Sequence, residues 1–416
     1  MKFGLRNIRS LLASVSNPES KFPSIHIAGT NGKGSTAAFL SSIMMEAGYR
    51  TGLYTSPHLV RFTERIRING REITGRRLVH YVTALRPAIE KVRATFFEAT
   101  TCVAFQFFAD EGVDIAIIEV GLGGRLDSTN TVIPMASVIT NVGLDHTEVL
   151  GRTLRAIARE KAGIIKRHVP CITTTQDTAV IDVLRDVARV KNAKLYEAPR
   201  VVTCVAGFKE PRTVTFRSAS LLLRNVRPGL TGLHQVSNAQ VAVATVEVLR
   251  RGRQDPPFLK KLTGESVRKG LENVVKNSGL HGRFDQAGRS SRYILDVAHN
   301  PDGVSALVRT LRSRGQDNLV VVFGVMKDKD YSSMIRELAP VSRTIVAVEP
   351  SIKRALSAAA LYRSIRKQGI STCCGGTVRK GILAANQWRK NRSPVLITGS
   401  HYVVGEALQF LKRKRA

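Results

Sequence analysis

The sequence predicts an α/β chain of two domains: a larger N-terminal parallel-sheet domain with a phosphate-binding loop and a side sheet, and a smaller Rossmann-like C-terminal domain. Three observations predict it. A length of 416 residues is more than one ordinary core holds. Apolar, β-branched runs that end in glycine or polar loops recur along the chain, as buried parallel strands do. From about Arg283 onward, strand-like and helix-like segments alternate, the pattern of a doubly wound sheet. Hydrophobic residues, at 43%, suffice to fill both cores. The junction falls near residues 278–282, where two glycines flank Leu280 and His281, giving domains 1–280 and 281–416.

Within the first domain, residues 24–28 form a short apolar run followed at once by Gly29-Thr30-Asn31-Gly32-Lys33-Gly34-Ser35-Thr36. A helical pattern then runs to about Ala47 and is closed by Gly48. Strand, glycine loop and helix in that order make a phosphate-binding element. Residues 115–120 and 136–140 are further strands whose exits carry polar groups, and 153–164 reads as a helix. Residues 170–232 are less periodic, with short strand-like runs at 213–216 and 221–223 that suit the side sheet. In the second domain, strands are expected at 293–297, 319–324, 344–348 and 395–398.

The balance of 64 Lys and Arg against 32 Asp and Glu gives a net charge of +32, which favours anionic ligands. The basic residues are spread from Lys2 to the tail at 412–415, and no zinc-finger spacing or aromatic stacking pattern accompanies them. Nucleic acid is therefore not the expected partner. Five cysteines without a C-x-x-C spacing indicate neither a disulfide framework nor zinc. The Cys373-Cys374 pair reads as two small apolar residues at the end of a strand or turn. No run resembles a secretory signal or a membrane span, so a soluble, cytoplasmic protein is expected, acting as a monomer.

The glycine loop carries the strongest chemical signal. Small residues let backbone N–H groups converge on phosphate oxygens, Lys33 supplies a positive charge, and Ser35 or Thr36 a hydroxyl for magnesium. The strict Walker A spacing fails, because Ile27 stands where the first glycine belongs and Gly34 follows the lysine. Glu119, at a strand end before Gly121, Gly123 and Gly124, points toward a ligand crevice. His146 follows the 136–140 strand, and Lys161 lies beside Glu160 in the next helix, where a plain lysine would serve as a phosphate counter-charge. In the second domain Arg283 can clamp phosphates, and Asp296 and His299 lie at a strand exit before a helix that opens after Pro301.

HIAGTNGKGST, YTSPHLVRFTERI, EVGLGGRLDSTN, LDHTEVLG with REKAGI, and HGRF with LDVAHNP stand in this order from about Asn17 onward. This series resembles the Mur-ligase superfamily, and specifically folylpolyglutamate synthase and dihydrofolate synthase. The resemblance implies an ADP-forming amide ligase that joins L-glutamate to dihydropteroate, or to folate, through an acyl-phosphate. It also implies that Lys161 is carbamylated, so that two magnesium ions are held, one by Ser35, Glu119 and ATP, the other by His146, Glu119 and the carbamate. Asn238 matches the family position that contacts adenine, and Asp296 and His299 lie near nucleotide and incoming glutamate. Thr55, Ser56, Pro57, His58 and Leu59 resemble a mobile loop over the substrate, with Arg65 placed to meet a carboxylate. Residues 95–98 resemble the cradle for dihydropteroate, with Arg125 and Asp127 as polar partners and Ser400 near glutamate. Phe96 and Phe97 equally suit ordinary core aromatics, and His58 and His401 purely structural histidines.

Three other readings compete. A folylpolyglutamate synthase without the dihydropteroate activity differs in the 96–98 pocket. A nucleic-acid-stimulated ATPase would account for the charge, but the chain lacks a hydrophobic-Asp Walker B run. A ligase acting on a sugar nucleotide would not need the SPH loop or the EVGLGGRLDSTN run.

Overall fold

The computed structural model describes residues 4–207, 213–251, 257–288, 291–389 and 393–413. Lys414 and Arg415 of the basic tail lie outside them. The chain divides into two compact units. The first comprises residues 1–57, 63–229 and 234–280; the second comprises 58–62, 230–233 and 281–416.

The first unit is built on an eight-stranded sheet. Its strands are β1 (Ser24–Ala28), β2 (Thr51–Tyr54), β3 (Ile66–Ile68), β4 (Arg71–Glu72), β5 (Ile115–Glu119), β6 (Ala136–Ile139), β7 (Cys171–Thr173) and β8 (Leu195–Glu197), in the order β4-β3-β2-β5-β1-β6-β7-β8. From β2 to β8 neighbouring strands are parallel, while β3 and β4 join as antiparallel edge strands. The central strands β1, β5 and β6 are buried along their whole length, with Ser24, His26, Glu119 and Ser137 as their polar members among apolar neighbours. Helices Lys33–Glu46 and Phe96–Asp110 pack Phe39, Phe105 and Phe108 into the core with no exposure. A three-stranded antiparallel sheet of β9 (Thr203–Ala206), β10 (Val214–Arg217) and β11 (Leu222–Val226) adjoins this layer.

The segment expected to be a side sheet is therefore only partly one. Residues 171–173 and 195–197 extend the main sheet, and the helix Thr178–Val190 between them buries Val180, Val183, Leu184 and Ala188 after an Asp177 cap. Strands of three residues are too short to show a period, so this βαβ step was hidden in the sequence.

The second unit holds a six-stranded sheet of β12 (Asp285–Ala287), β13 (Tyr293–Leu295), β14 (Leu319–Phe323), β15 (Ser342–Glu349), β16 (Thr372–Thr377) and β17 (Val395–Thr398). Their order is β12-β13-β17-β14-β15-β16, parallel except for β12. The two edge strands were not expected, and Cys373 and Cys374 lie inside β16 and not at its end. Two glycines and a register shift against β15 make that strand look like a turn in the sequence.

Candidate active site

The exits of β5, β1 and β6 lie side by side, with Ile27 opposite Glu119 and Ala28 opposite Ile139. The loop 29–32 therefore emerges between the segments that carry Glu119 and His146. This loop is stapled to the β6 exit. Thr30 donates its N–H to the Asn141 carbonyl at 2.8 Å, and Asn31 donates its N–H to Asn141 Oδ1 at 2.7 Å. Thr140 Oγ1 donates to the Asn31 carbonyl at 2.7 Å, and Gly143 donates its N–H to Thr30 Oγ1 at 3.0 Å.

Two of the loop glycines are sterically required. A Cβ on Gly29 would fall 1.8 Å from Thr140 Oγ1, and one on Gly32, at φ +87, would fall 2.3 Å from Asn238 Oδ1. Because the amides of Thr30 and Asn31 are taken by Asn141, the groups left to meet an anion are the unpaired amides at the start of the helix Lys33–Glu46. Asn238 is buried beside Gly32, its side-chain N–H donating to Gln235 Oε1 at 2.9 Å.

Two lysines meet on one carbonyl. Lys33 Nζ donates to the oxygens of Gly29 at 3.1 Å and Thr30 at 3.2 Å, and Lys161 Nζ donates to the same Gly29 oxygen at 2.8 Å. Burial, reinforced by the Lys33 charge and opposed by Asp145, lowers the Lys161 pKa to about 7. Glu119 is buried, and its Oε2 accepts the Ser56 N–H at 3.1 Å. His146 takes a left-handed φ of +50 at the cap of Thr147–Leu150, its ring 4.0 Å from the Asp145 carboxylate. Ser35 and Thr36 are buried, and Thr36 Oγ1 has no hydrogen-bond partner among the described residues.

This donor set fits one magnesium directly, since such an ion binds one or two carboxylates, phosphate oxygens and waters. Glu119 and the Ser35 hydroxyl, both buried, would supply the protein share. Among the described residues no three His, Cys, Asp or Glu form a metal cluster. A second ion beside Lys161 fits only if that ammonium is replaced by an anion.

Toward β2, Phe97 packs 6.2 Å from the Tyr54 ring and fills the space where a Gly121 Cβ would lie, 2.5 Å away. Phe96 is 65% exposed with the Arg65 guanidinium 5.6 Å from its ring centre, while Thr95 and Glu98 form a capping box. Arg65 also accepts the Thr55 N–H on its carbonyl, and the Ser56–Pro57 bond is cis. Arg125 holds Glu160 through Nε at 3.0 Å and Nη2 at 2.8 Å. Asp127 accepts the N–H groups of Leu122 at 2.9 Å and Thr129 at 3.0 Å. Arg125 and Asp127 thus already serve partners within the chain.

In the second unit, Arg283 Nη1 donates to the Gly282 carbonyl at 3.1 Å. Asp296 accepts the N–H groups of Phe284 and Ala298, both at 2.9 Å, and burial, opposed by Arg283, raises its pKa to about 6. His299 donates Nδ1–H to the Val297 carbonyl at 2.9 Å and stacks 5.3 Å from the His401 ring. Ser400 Oγ accepts the Val403 N–H at 3.2 Å and so caps the last helix. His58 packs its ring 6.0 Å from Phe62 within the short segment 58–62. Asp296 and Ser400 thus order backbone, which motif reading did not foresee. Thr140 and Asn141 were missed as site residues because nothing local marks them, and Asp145, though inside LDHTEVLG, was given no role.

The Mur ligase middle domain model matches residues 27–246, and the Mur ligase glutamate ligase domain model matches 282–401. This chain belongs to the Mur ligase family. The ligase is 34% identical to a Bacillus subtilis dihydrofolate synthase/folylpolyglutamate synthase, over 99% of its own length and 96% of that relative. A Mycobacterium tuberculosis folylpolyglutamate synthase, complexed with ADP and AMPPCP, superposes with a TM-score of 0.89 at 30% identity, covering 98% of this chain and 95% of that one. The E. coli FolC structure with DHPP and ADP gives a TM-score of 0.88 at 29% identity, over 100% of this chain and 95% of the other.

Proposed function

We propose that this Mur ligase joins L-glutamate to dihydropteroate, and to folate, with conversion of ATP to ADP and phosphate. The observation that carries this reading is the convergence of Lys33 and Lys161 on the Gly29 carbonyl, at the sheet edge from which Glu119 also emerges. A carboxylate is a poor electrophile, so the γ-phosphoryl group is moved onto it before glutamate attacks. The helix N-terminus at Lys33 receives the phosphates, and Lys33 moves from the loop carbonyls onto the transferring oxygens. Glu119 and Ser35 would hold a magnesium ion, which when bound would supply charge neutralisation on the phosphates. The glutamate amine then attacks the acyl-phosphate, and the tetrahedral intermediate collapses to amide and phosphate.

The same reading gives Lys161 a carbamate. CO2 adds only to a neutral amine, and a pKa of about 7 leaves much of Lys161 neutral at physiological pH. Its carbamate, with His146 and Glu119, would then hold a second magnesium ion. Asn238 serves the adenine, and Arg283 the phosphates. Arg65 and Phe97 serve the pterin-bearing acceptor, as do Ser56, Pro57 and His58, with Arg125 and Asp127 shaping the loop beside it. His299 and Ser400 serve glutamate, and Asp296 orders the Arg283 segment. The five free cysteines support a reducing, cytoplasmic setting.

The test is turnover of purified protein with ATP, magnesium, glutamate and each acceptor in turn. ADP release that depends on glutamate and on dihydropteroate or folate is expected, and the ratio of the two rates fixes the acceptor preference. ATP turnover that ignores glutamate but responds to nucleic acid would overturn the reading.

A further inference from the structure

We infer that His26 is a positioning residue for acceptor recognition: from the middle of β1 it orients Thr129, which sets the Asp127 carboxylate that holds residues 121–122 against Phe97. The inference rests on the reading that this end of the site takes a pterin-bearing acid. His26 is fully buried on a central strand, between Ile118 of β5 and Ser137 of β6, where an apolar residue would be the default. Its Nε2 lies 2.8 Å from Thr129 Oγ1. Thr129 Oγ1 in turn donates to Asp127 Oδ1.

A hydroxyl carries one proton, so Thr129 Oγ1, having donated to Asp127, accepts from His26. This fixes the ring as the Nε2–H tautomer. Nδ1 is then the unprotonated nitrogen, and it is buried without a hydrogen-bond partner among the described residues. Burial, with Lys166 as the second influence, lowers the His26 pKa to about 3, so the ring stays neutral and transmits orientation, not charge.

The far end of the chain is the acceptor loop. Burial raises the Asp127 pKa, and the N–H groups of Leu122, at 2.9 Å, and Gly121 oppose that by accommodating its charge. Gly121 in turn has no room for a Cβ beside Phe97. A turn of the Asp127 carboxylate therefore moves Gly121 and Leu122 relative to the Phe97 ring.

The experiment compares His26→Leu, which removes the donor, with His26→Gln, which keeps an N–H near the Nε2 position, and with Thr129→Val. His26→Leu and Thr129→Val are expected to raise the acceptor KM about tenfold, with kcat and the KM values for ATP and glutamate within about twofold. His26→Gln should stay within about threefold of the parent, and the Leu/Val double variant should be no worse than either single change. Nitrogen-15 NMR should find the Nε2–H tautomer in the parent and a mixture in Thr129→Val. Equal rises in the ATP and acceptor KM, a fall in kcat alone, no rescue by Gln, or additive effects would each overturn the relay. Thr129→Val reads the same chain without altering β1 if His26→Leu does not fold. A parent protein that uses neither dihydropteroate nor folate overturns the functional reading instead.

Discussion

Replacing Lys161 by Met removes a buried ammonium and keeps most of the side-chain volume. In the unfolded chain this lysine titrates at its ordinary value of 10.5, whereas in the fold burial brings it to about 7. Below pH 7 it is protonated in both states, and the folded protein carries the whole cost of the buried charge. Between the two values the folded chain has released a proton that the unfolded chain retains, so stability rises with pH. Above the upper value the cost is gone. The gap corresponds to about 5 kcal/mol. With a urea slope of about 3 kcal/mol per molar, Lys161→Met should unfold at a urea concentration about 1.5 M higher than the parent near pH 6, in CO2-free buffer. The difference should shrink toward nothing as the pH passes 10.5, because titrating groups other than Lys33 and Asp145, which face this lysine, cancel in the comparison. The variant should also lose ligase activity. A parent and variant with parallel stability profiles over this range would refute the desolvated lysine and, with it, the physical basis for the carbamate.

Four further outcomes follow from the geometry. Lys33→Ala should lower kcat by about a hundredfold or more through lost transition-state charge stabilisation, with the ADP affinity changed less; near-normal turnover in stopped assays removes its phosphate role. Gly32→Ala places a methyl group 2.3 Å from Asn238 Oδ1 at a left-handed φ of +87 and should raise the ATP KM, read by initial rates; an unchanged ATP KM removes the steric argument. His146→Ala should shift the magnesium titration of activity to higher concentration, and an unchanged titration dismisses it as a ligand. Asp296→Asn leaves one of the Phe284 and Ala298 amides without an acceptor and should lower stability by about 1–3 kcal/mol in urea unfolding.

The legible parts of the sequence were those in which a local pattern carries the physics. Ser24–Ala28, the glycines and the Lys33–Glu46 helix form one continuous phrase, and each step is fixed by neighbours a few residues away. Thr140 and Asn141 were not legible, because their hydrogen bonds to Thr30 and Asn31 span about a hundred residues and leave no periodic trace. The helix at Thr178–Val190 was hidden by the three-residue strands on either side. Asp296 shows a different limit: a carboxylate at a strand exit suggests a ligand contact, yet both of its oxygens are occupied by backbone N–H groups. Motif position announces that a residue matters, and only the hydrogen-bond geometry distinguishes touching a ligand from holding the chain that does. Asp127 carries the same lesson, accepting amides of its own segment.

Along the sequence the basic residues are spread and not gathered into one block. Of the arginines around the cleft between β8 and the three-stranded sheet, Arg200 and Arg251 already pair with Glu197 and Glu247. The charge is thus dispersed over solvated surface, where it raises the local concentration of anionic substrates without selecting among them.

The most direct measurement uses an acceptor whose carboxylate oxygens carry oxygen-18, incubated with ATP, magnesium and glutamate. Activation of that carboxylate by the γ-phosphoryl group predicts that each released phosphate contains one labelled oxygen and that the nucleotide product is ADP. Unlabelled phosphate, or AMP with pyrophosphate, would contradict the account.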